Sequence, residues 1–261
     1  MQRRQFIQTS VHSTAIASAA ACGLAVAAPA TAASRELYEW RTYRINSKAK
    51  HESLHNYLRA ACLPAWQRIG VGPVGVFTEI GEEAGPSIHV LITYPTPELL
   101  TSSREALEAD ADYKKAAADH LAAKKDAPAF DRIESWLMLA FAGAPKITPP
   151  AQKPRVLELR TYENFGEDRA RAKVDMFNDG EIEIFPKCSF ENVFFGETLI
   201  GSRLPSLKYM LAAPDMAANE AGWKKFLAHP DFVRMKDDPK YADTMPAITK
   251  LFLAPTDYSQ V

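Results

Sequence analysis

Leu37-Tyr38-Glu39-Trp40-Arg41-Thr42-Tyr43 and Val156-Leu157-Glu158-Leu159-Arg160-Thr161-Tyr162 are two versions of one segment, 119 residues apart. The same offset carries Pro86-Ser87-Ile88 onto Pro205-Ser206-Leu207 and Pro95 onto Pro214. It also carries Asp112-Tyr113 onto Asp231-Phe232. A period this long suits two domain-sized copies rather than a solenoid of small units. Between the copies, residues 142–154 hold Pro145, Pro149, Pro150 and Pro154, which neither a helix nor an inner strand accommodates. That stretch reads as an extended linker between a first domain at 34–141 and a second at 155–258.

Each copy carries the same succession of signals. In the first, residues 36–45 alternate and hold Tyr, Trp and Thr, which predicts a strand. Leu54, Leu58, Cys62, Ala65 and Ile69 recur at helical spacing behind Ser47, a residue suited to capping. Two strands follow near 74–80 and 87–94, separated by a glycine- and proline-bearing turn. Pro97 opens a helical stretch reaching about residue 125, and a strand at 133–141 closes the unit. The second copy repeats this with a strand at 155–163 and a helix at 167–185. Strands near 190–200 and 206–213, a helix at 215–236 and a strand at 247–254 complete it. The order is βαββαβ, a ferredoxin-like α+β arrangement with helices on one face of an antiparallel sheet. The other sheet face needs cover, and two tandem copies supply it to each other as an intramolecular pseudo-dimeric α+β barrel.

Composition narrows the function classes. The chain has 261 residues, 47% hydrophobic and 24% charged, which excludes a largely disordered or fibrous protein. Basic and acidic residues number 31 and 32, with no basic stripe, so nucleic acid is not an expected partner. Three cysteines without a CxxC spacing exclude a disulfide scaffold. Residues 1–32 read as a signal peptide, with Arg3-Arg4-Gln5-Phe6-Ile7, an alanine-rich apolar stretch and Ala30-Thr31-Ala32 as the cleavage site. The arginine pair is of the twin-arginine type, and the mature protein is expected in the periplasm or secreted, without stable membrane insertion.

The Glu-x-Arg-Thr-Tyr strand heading each copy, the βαββαβ order and the Asp-[Tyr/Phe] pair in the last helix resemble the NIPSNAP family. That resemblance implies a dimeric α+β barrel over both copies. It supplies no catalytic residues to carry across.

Period two puts Glu39, Arg41 and Tyr43 on one face of the opening strand and Tyr38, Trp40 and Thr42 on the other. Glu158, Arg160 and Tyr162 repeat the pattern. With the apolar face against the helices, the Glu/Arg/Tyr face is expected inside the barrel, as a grip for a small anionic ligand or as a closed ion-pair lattice. His89, replaced by Lys208 in the second copy, adds positive character to the same interior. His51-Glu52-Ser53-Leu54-His55 matches H-E-x-x-H, but the second copy has Ala170 and Val174 there. His51 and His55 are therefore expected as a solvated pair, with no metal. Gly70-Val71-Gly72-Pro73-Val74-Gly75 matches G-x-G-x-x-G but follows a helix and precedes a strand, the reverse of a dinucleotide fingerprint, and reads as a turn. Cys62 and Cys188 are expected as separate buried thiols. No cofactor is indicated. The leading expectation is a small-molecule-binding module, able to form homo-oligomers. The alternatives are a cofactor-independent oxygenase, on analogy of fold alone, and a ligand-free scaffold.

Overall fold

A computed structural model describes residues 34–81, 86–151, 153, 155–244 and 246–261. The expected signal peptide at 1–32 lies outside the described residues. Strand β1 (Leu37–Arg44) leads into α1 (Lys48–Tyr57), a π-helical turn (Leu58–Cys62) and α2 (Leu63–Arg68). Strands β2 (Val74–Glu79) and β3 (Ile88–Tyr94) follow, then α3 (Pro97–Ala109), α4 (Ala111–Ala116), α5 (Ala118–Leu121) and β4 (Arg132–Ala140). The second copy runs β5 (Val156–Glu163), α6 (Glu167–Met176), a π-helical turn (Phe177–Glu181) and α7 (Ile182–Lys187). It continues with β6 (Glu191–Ile200), β7 (Ser206–Ala213), α8 (Met216–Ala228), α9 (Pro230–Lys236) and β8 (Ala247–Pro255).

The repeat holds at the level of single turns, because β1, α1, the π turn, α2 and α3 map onto β5, α6, the second π turn, α7 and α8 at the 119-residue offset. The π turn explains the spacing of the buried stripe. Steps of four from Leu54 to Leu58 to Cys62 drift about 40° each around a regular helix, and a wider turn absorbs that drift. All three side chains are buried as a result. The helix expected over 97–125 is broken at Asp110, whose backbone is extended and whose side chain caps Tyr113 N at 2.9 Å while pairing with Arg68. The second copy breaks at the equivalent residue, His229, ahead of Pro230.

Each copy forms a four-stranded antiparallel sheet, and β2 with β8 and β4 with β6 join the sheets edge to edge into a closed eight-stranded barrel. Closure removes every open strand edge. The interior is filled by Tyr38, Trp40, Phe77, Leu91 and Met138 from the first copy and Leu157, Leu159, Phe194, Met210 and Leu253 from the second. Ile147, from the proline-bearing segment, and Val261 pack into this same core.

This overturns the expected orientation of β1 and β5. The Tyr38/Trp40/Thr42 face points into the barrel, and Glu39, Arg41 and Tyr43 point outward beneath the helices, as do Glu158, Arg160 and Tyr162. The reason is volume. A closed eight-stranded barrel is filled by its own side chains, so it takes the bulkiest apolar face available. The helix-covered face has gaps where a paired charge can reach donors from a neighbouring helix.

Gly70 and Gly72 sit in the turn before β2 with φ of 81° and 137°, values that favour glycine, as the turn reading of that motif requires. Among the described residues, no helix is long and apolar enough to cross a membrane.

Candidate functional site

One end of the barrel opens into a cavity of about 800 Å³. Interior-facing residues near the ends of the strands build it. Trp40, Leu159 and Leu251 supply apolar lining, and Trp136 adds a further aromatic wall. The polar walls come from two cross-strand pairs at equivalent positions, Thr42 with His89 and Thr161 with Lys208. Strands β3 and β7 lie four places apart around the eight, so His89 and Lys208 stand on opposite sides of one space.

His89 is fully engaged. Its Nδ1 is 3.1 Å from the Thr42 hydroxyl, its Nε2 is 2.8 Å from Glu79 Oε1, and its ring stacks on Trp40 at 5.5 Å. Lys208 differs. It is 6% exposed, donates to Thr161 Oγ1 at 2.7 Å, and lies 4.6 Å from the centre of the Trp136 ring. Burial pushes its pKa down to about 8, with nearby Arg203 adding to the fall and Glu163 opposing it. At the rim, Arg44 pairs with Glu134 at 3.0 Å and Arg203 with Glu163 at 3.1 Å. Among the described residues, the cavity cations Lys208, Arg132 and Lys250 have no carboxylate within ion-pair distance. The mouth is therefore net positive, walled in part by two tryptophans, and within the size range of small-molecule sites.

The six residues of the repeated strand do not join this cavity. They form two separate clusters on the outer face, one per copy. Glu39 accepts from Arg41 through both oxygens at 2.9 Å, from Tyr94 at 3.0 Å and from Ser135 at 2.7 Å, and Arg41 also donates to Tyr43 at 3.3 Å. Glu158 accepts from Arg160 Nε at 2.7 Å, from Asn219 at 2.8 Å and from Trp223 Nε1 at 2.5 Å. The Arg160 guanidinium lies 3.3 Å from the centre of the Trp223 ring. Burial opposes its charge, but the oxygens of Tyr209, Glu158 and Tyr162 outweigh this and raise its pKa. Tyr162 shares a 2.8 Å hydrogen bond with Tyr209. Asn219 and Trp223 replace Leu100 and Arg104 of the first copy, so only the second copy wraps its ion pair in helix donors. A second cavity of about 580 Å³ borders Glu158, Arg160 and Trp223 on this outer face.

The histidines of the H-E-x-x-H segment stack edge to face at 4.5 Å. The pair is not simply solvated, since His55 is half-buried and its Nδ1 meets the Tyr258 hydroxyl. Burial, with His51 and Arg59 nearby, lowers the His55 pKa to about 4. Among the described residues no group of three metal-ligating side chains forms. Cys62 and Cys188 are free and buried.

Sequence reasoning picked out His89 and Lys208 but missed Thr42, Glu79, Trp40, Trp136 and Thr161. The signal was present for two of them: Thr42 and Thr161 sit at matching places in the repeated strand, on the face taken to be covered by helices.

The fold defines a class: a tandem α+β barrel in which one chain supplies both halves of a pseudo-twofold structure. The sequence profile of the NIPSNAP family matches residues 38–140 and again 157–260, and the chain belongs to that family. Among solved structures it is similar to a candidate monooxygenase from Fusobacterium nucleatum, at 7% identity and a TM-score of 0.56, covering 85% of this chain and 93% of that one. A candidate monooxygenase from Lactobacillus acidophilus matches at 10% identity and a TM-score of 0.57, covering 85% and 94%. A NIPSNAP-like domain protein from Burkholderia xenovorans matches at 18% identity and a TM-score of 0.37, covering 42% of this chain and 92% of that one. Among curated proteins no match was found.

Proposed function

We propose that this chain is an exported binding protein for a small anionic ligand with an aromatic or flat apolar body, held in the mouth of the barrel. One observation carries the reading: Lys208 is a buried cation on the wall of the cavity, without a carboxylate partner among the described residues. A buried charge is costly unless paired, and an anionic ligand supplies the partner the fold omits. Trp40 and Trp136 offer flat surfaces for the ligand body, and the wide cavity disfavours the ligand-free scaffold. The Arg3-Arg4 signal supports a location outside the cytoplasm. The oxygenase alternative has fold likeness alone behind it.

Calorimetric titration of the mature chain with 2-naphthoate and with the neutral 2-naphthalenemethanol tests the reading. The carboxylate is expected to bind at least tenfold more tightly, since a hydrogen bond to a charged group contributes about 1.5–3 kcal/mol. Lys208→Met is expected to erase that preference. Equal binding of the two compounds, or a preference that survives Lys208→Met, overturns the proposal.

A further inference from the structure

Lys208 has chemistry beyond its charge. An amine attacks carbonyl carbon only through its free lone pair, so a nucleophilic lysine must be held where the ammonium is disfavoured. Three features of its surroundings do this. The side chain is buried, its polar contact is the neutral Thr161 hydroxyl, and Arg203 lies close enough to disfavour a second positive charge. The cavity then gives an approaching compound access.

We infer that Lys208 captures small carbonyl compounds, aldehydes or 2-oxo acids, as an imine in the barrel mouth. This rests on the binding reading above and assigns its ligand class. In the addition step the Nζ lone pair forms a bond to the carbonyl carbon, and the π electrons of the C=O bond move to oxygen. A proton passes from nitrogen to that oxygen to give the neutral carbinolamine, with the Thr161 hydroxyl in reach as the relay. The remaining N–H proton then passes to the carbinolamine hydroxyl, the C–O bond breaks with release of water, and the nitrogen electron pair forms C=N. No oxidant or reductant is consumed. The lowered pKa of about 8 leaves roughly a tenth of the side chain as free amine at neutral pH, far more than a surface lysine has. The charged or titratable groups around the cavity, besides Lys208, are Glu163, Arg203, Arg132, Glu134, Arg44, Lys250 and, across it, the Glu79–His89 pair. In its ammonium form Lys208 draws the carboxylate of a 2-oxo acid or a substituted benzaldehyde into the cavity, and Arg132 and Lys250 on the same lining hold that carboxylate once the amine attacks.

The test uses 4-carboxybenzaldehyde with sodium cyanoborohydride on the mature chain, followed by intact-mass analysis and peptide mapping. The expected result is one adduct on Lys208, forming at least tenfold faster than on exposed lysines such as Lys48. Its rate should rise through a midpoint near pH 8. Lys208→Arg should abolish the fast adduct while still binding 4-(hydroxymethyl)benzoate, which keeps the anion and lacks the carbonyl. Adducts spread over surface lysines with no preference for Lys208 overturn the inference. If 4-(hydroxymethyl)benzoate nevertheless binds, the anion-site reading survives that failure. If it does not bind either, both fall.

Discussion

Replacing Arg160 by methionine removes the only ion-pair partner, among the described residues, of a carboxylate that is 1% exposed, while the guanidinium it replaces is 8% exposed. Breaking a buried ion pair costs about 3–5 kcal/mol because one charge is left without its counterion. Two details of this site move the figure in opposite directions. Glu158 keeps the Asn219 and Trp223 donors, which lowers the cost toward the bottom of that range. The guanidinium stacked on Trp223 is lost as well, adding about 1–2 kcal/mol. The net expectation is a loss of about 3–4 kcal/mol, read as a lower urea midpoint at unchanged slope. Arg41→Met is the internal control. Its pair is 24% and 13% exposed, so water screens the residual charge and the loss should be about 1–2 kcal/mol. Adding Glu158→Gln to Arg160→Met should recover part of the loss, since a neutral amide no longer needs a counterion. An Arg160→Met cost below about 1 kcal/mol would refute the reasoning, because the side chain would then behave as a solvated one.

Three further outcomes are expected. His55 is held neutral in the folded state, its pKa falling from 6.5 to about 4, so the stability it contributes is complete above pH 6.5 and drains away as pH falls toward 4. An NMR titration placing the His55 midpoint at 6 or above would contradict this. Gly75→Ala puts a Cβ 2.3 Å and 2.6 Å from the buried Phe77 ring and 3.1 Å from Val261, and the overpacked core should lose about 1–3 kcal/mol by denaturant titration. The mature protein should begin near Ala33, and Arg3→Lys with Arg4→Lys should leave precursor in the cytoplasm; an intact precursor recovered as the stable periplasmic form would remove the signal-peptide reading.

The fold was legible because a duplicated sequence reports each element twice. The alternation of 36–45 is short and interrupted by charge, but its echo at 155–163 makes chance alternation an unlikely explanation. The site was legible only in part, and for a definable reason. Period two assigns residues to two faces but does not say which face is inside, and here both faces carry something worth burying. Glu39, Arg41 and Tyr43 look like an interior lattice until the space inside eight strands is weighed against the gap beneath α8. Trp223 and Asn219, which complete the Glu158 cluster, lie 61 to 65 residues from it in a helix of weak patterning. No local signal ties them to the strand. Lys208 was visible as the partner of His89 in the repeat, but its isolation from carboxylates is a property of three-dimensional neighbours.

A barrel assembled from two separate copies of one small chain sits on a twofold axis, and every side chain at its mouth is then present twice. Any compound bound on such an axis meets matching surroundings at both ends. Joining the halves in one polypeptide lifts that constraint, because a codon in one half can change while its counterpart stays. Here one side of the mouth carries an imidazole backed by a carboxylate, and the other an amine backed by a hydroxyl. The fused chain can therefore give its guest a head and a tail. Duplication bought this barrel polarity.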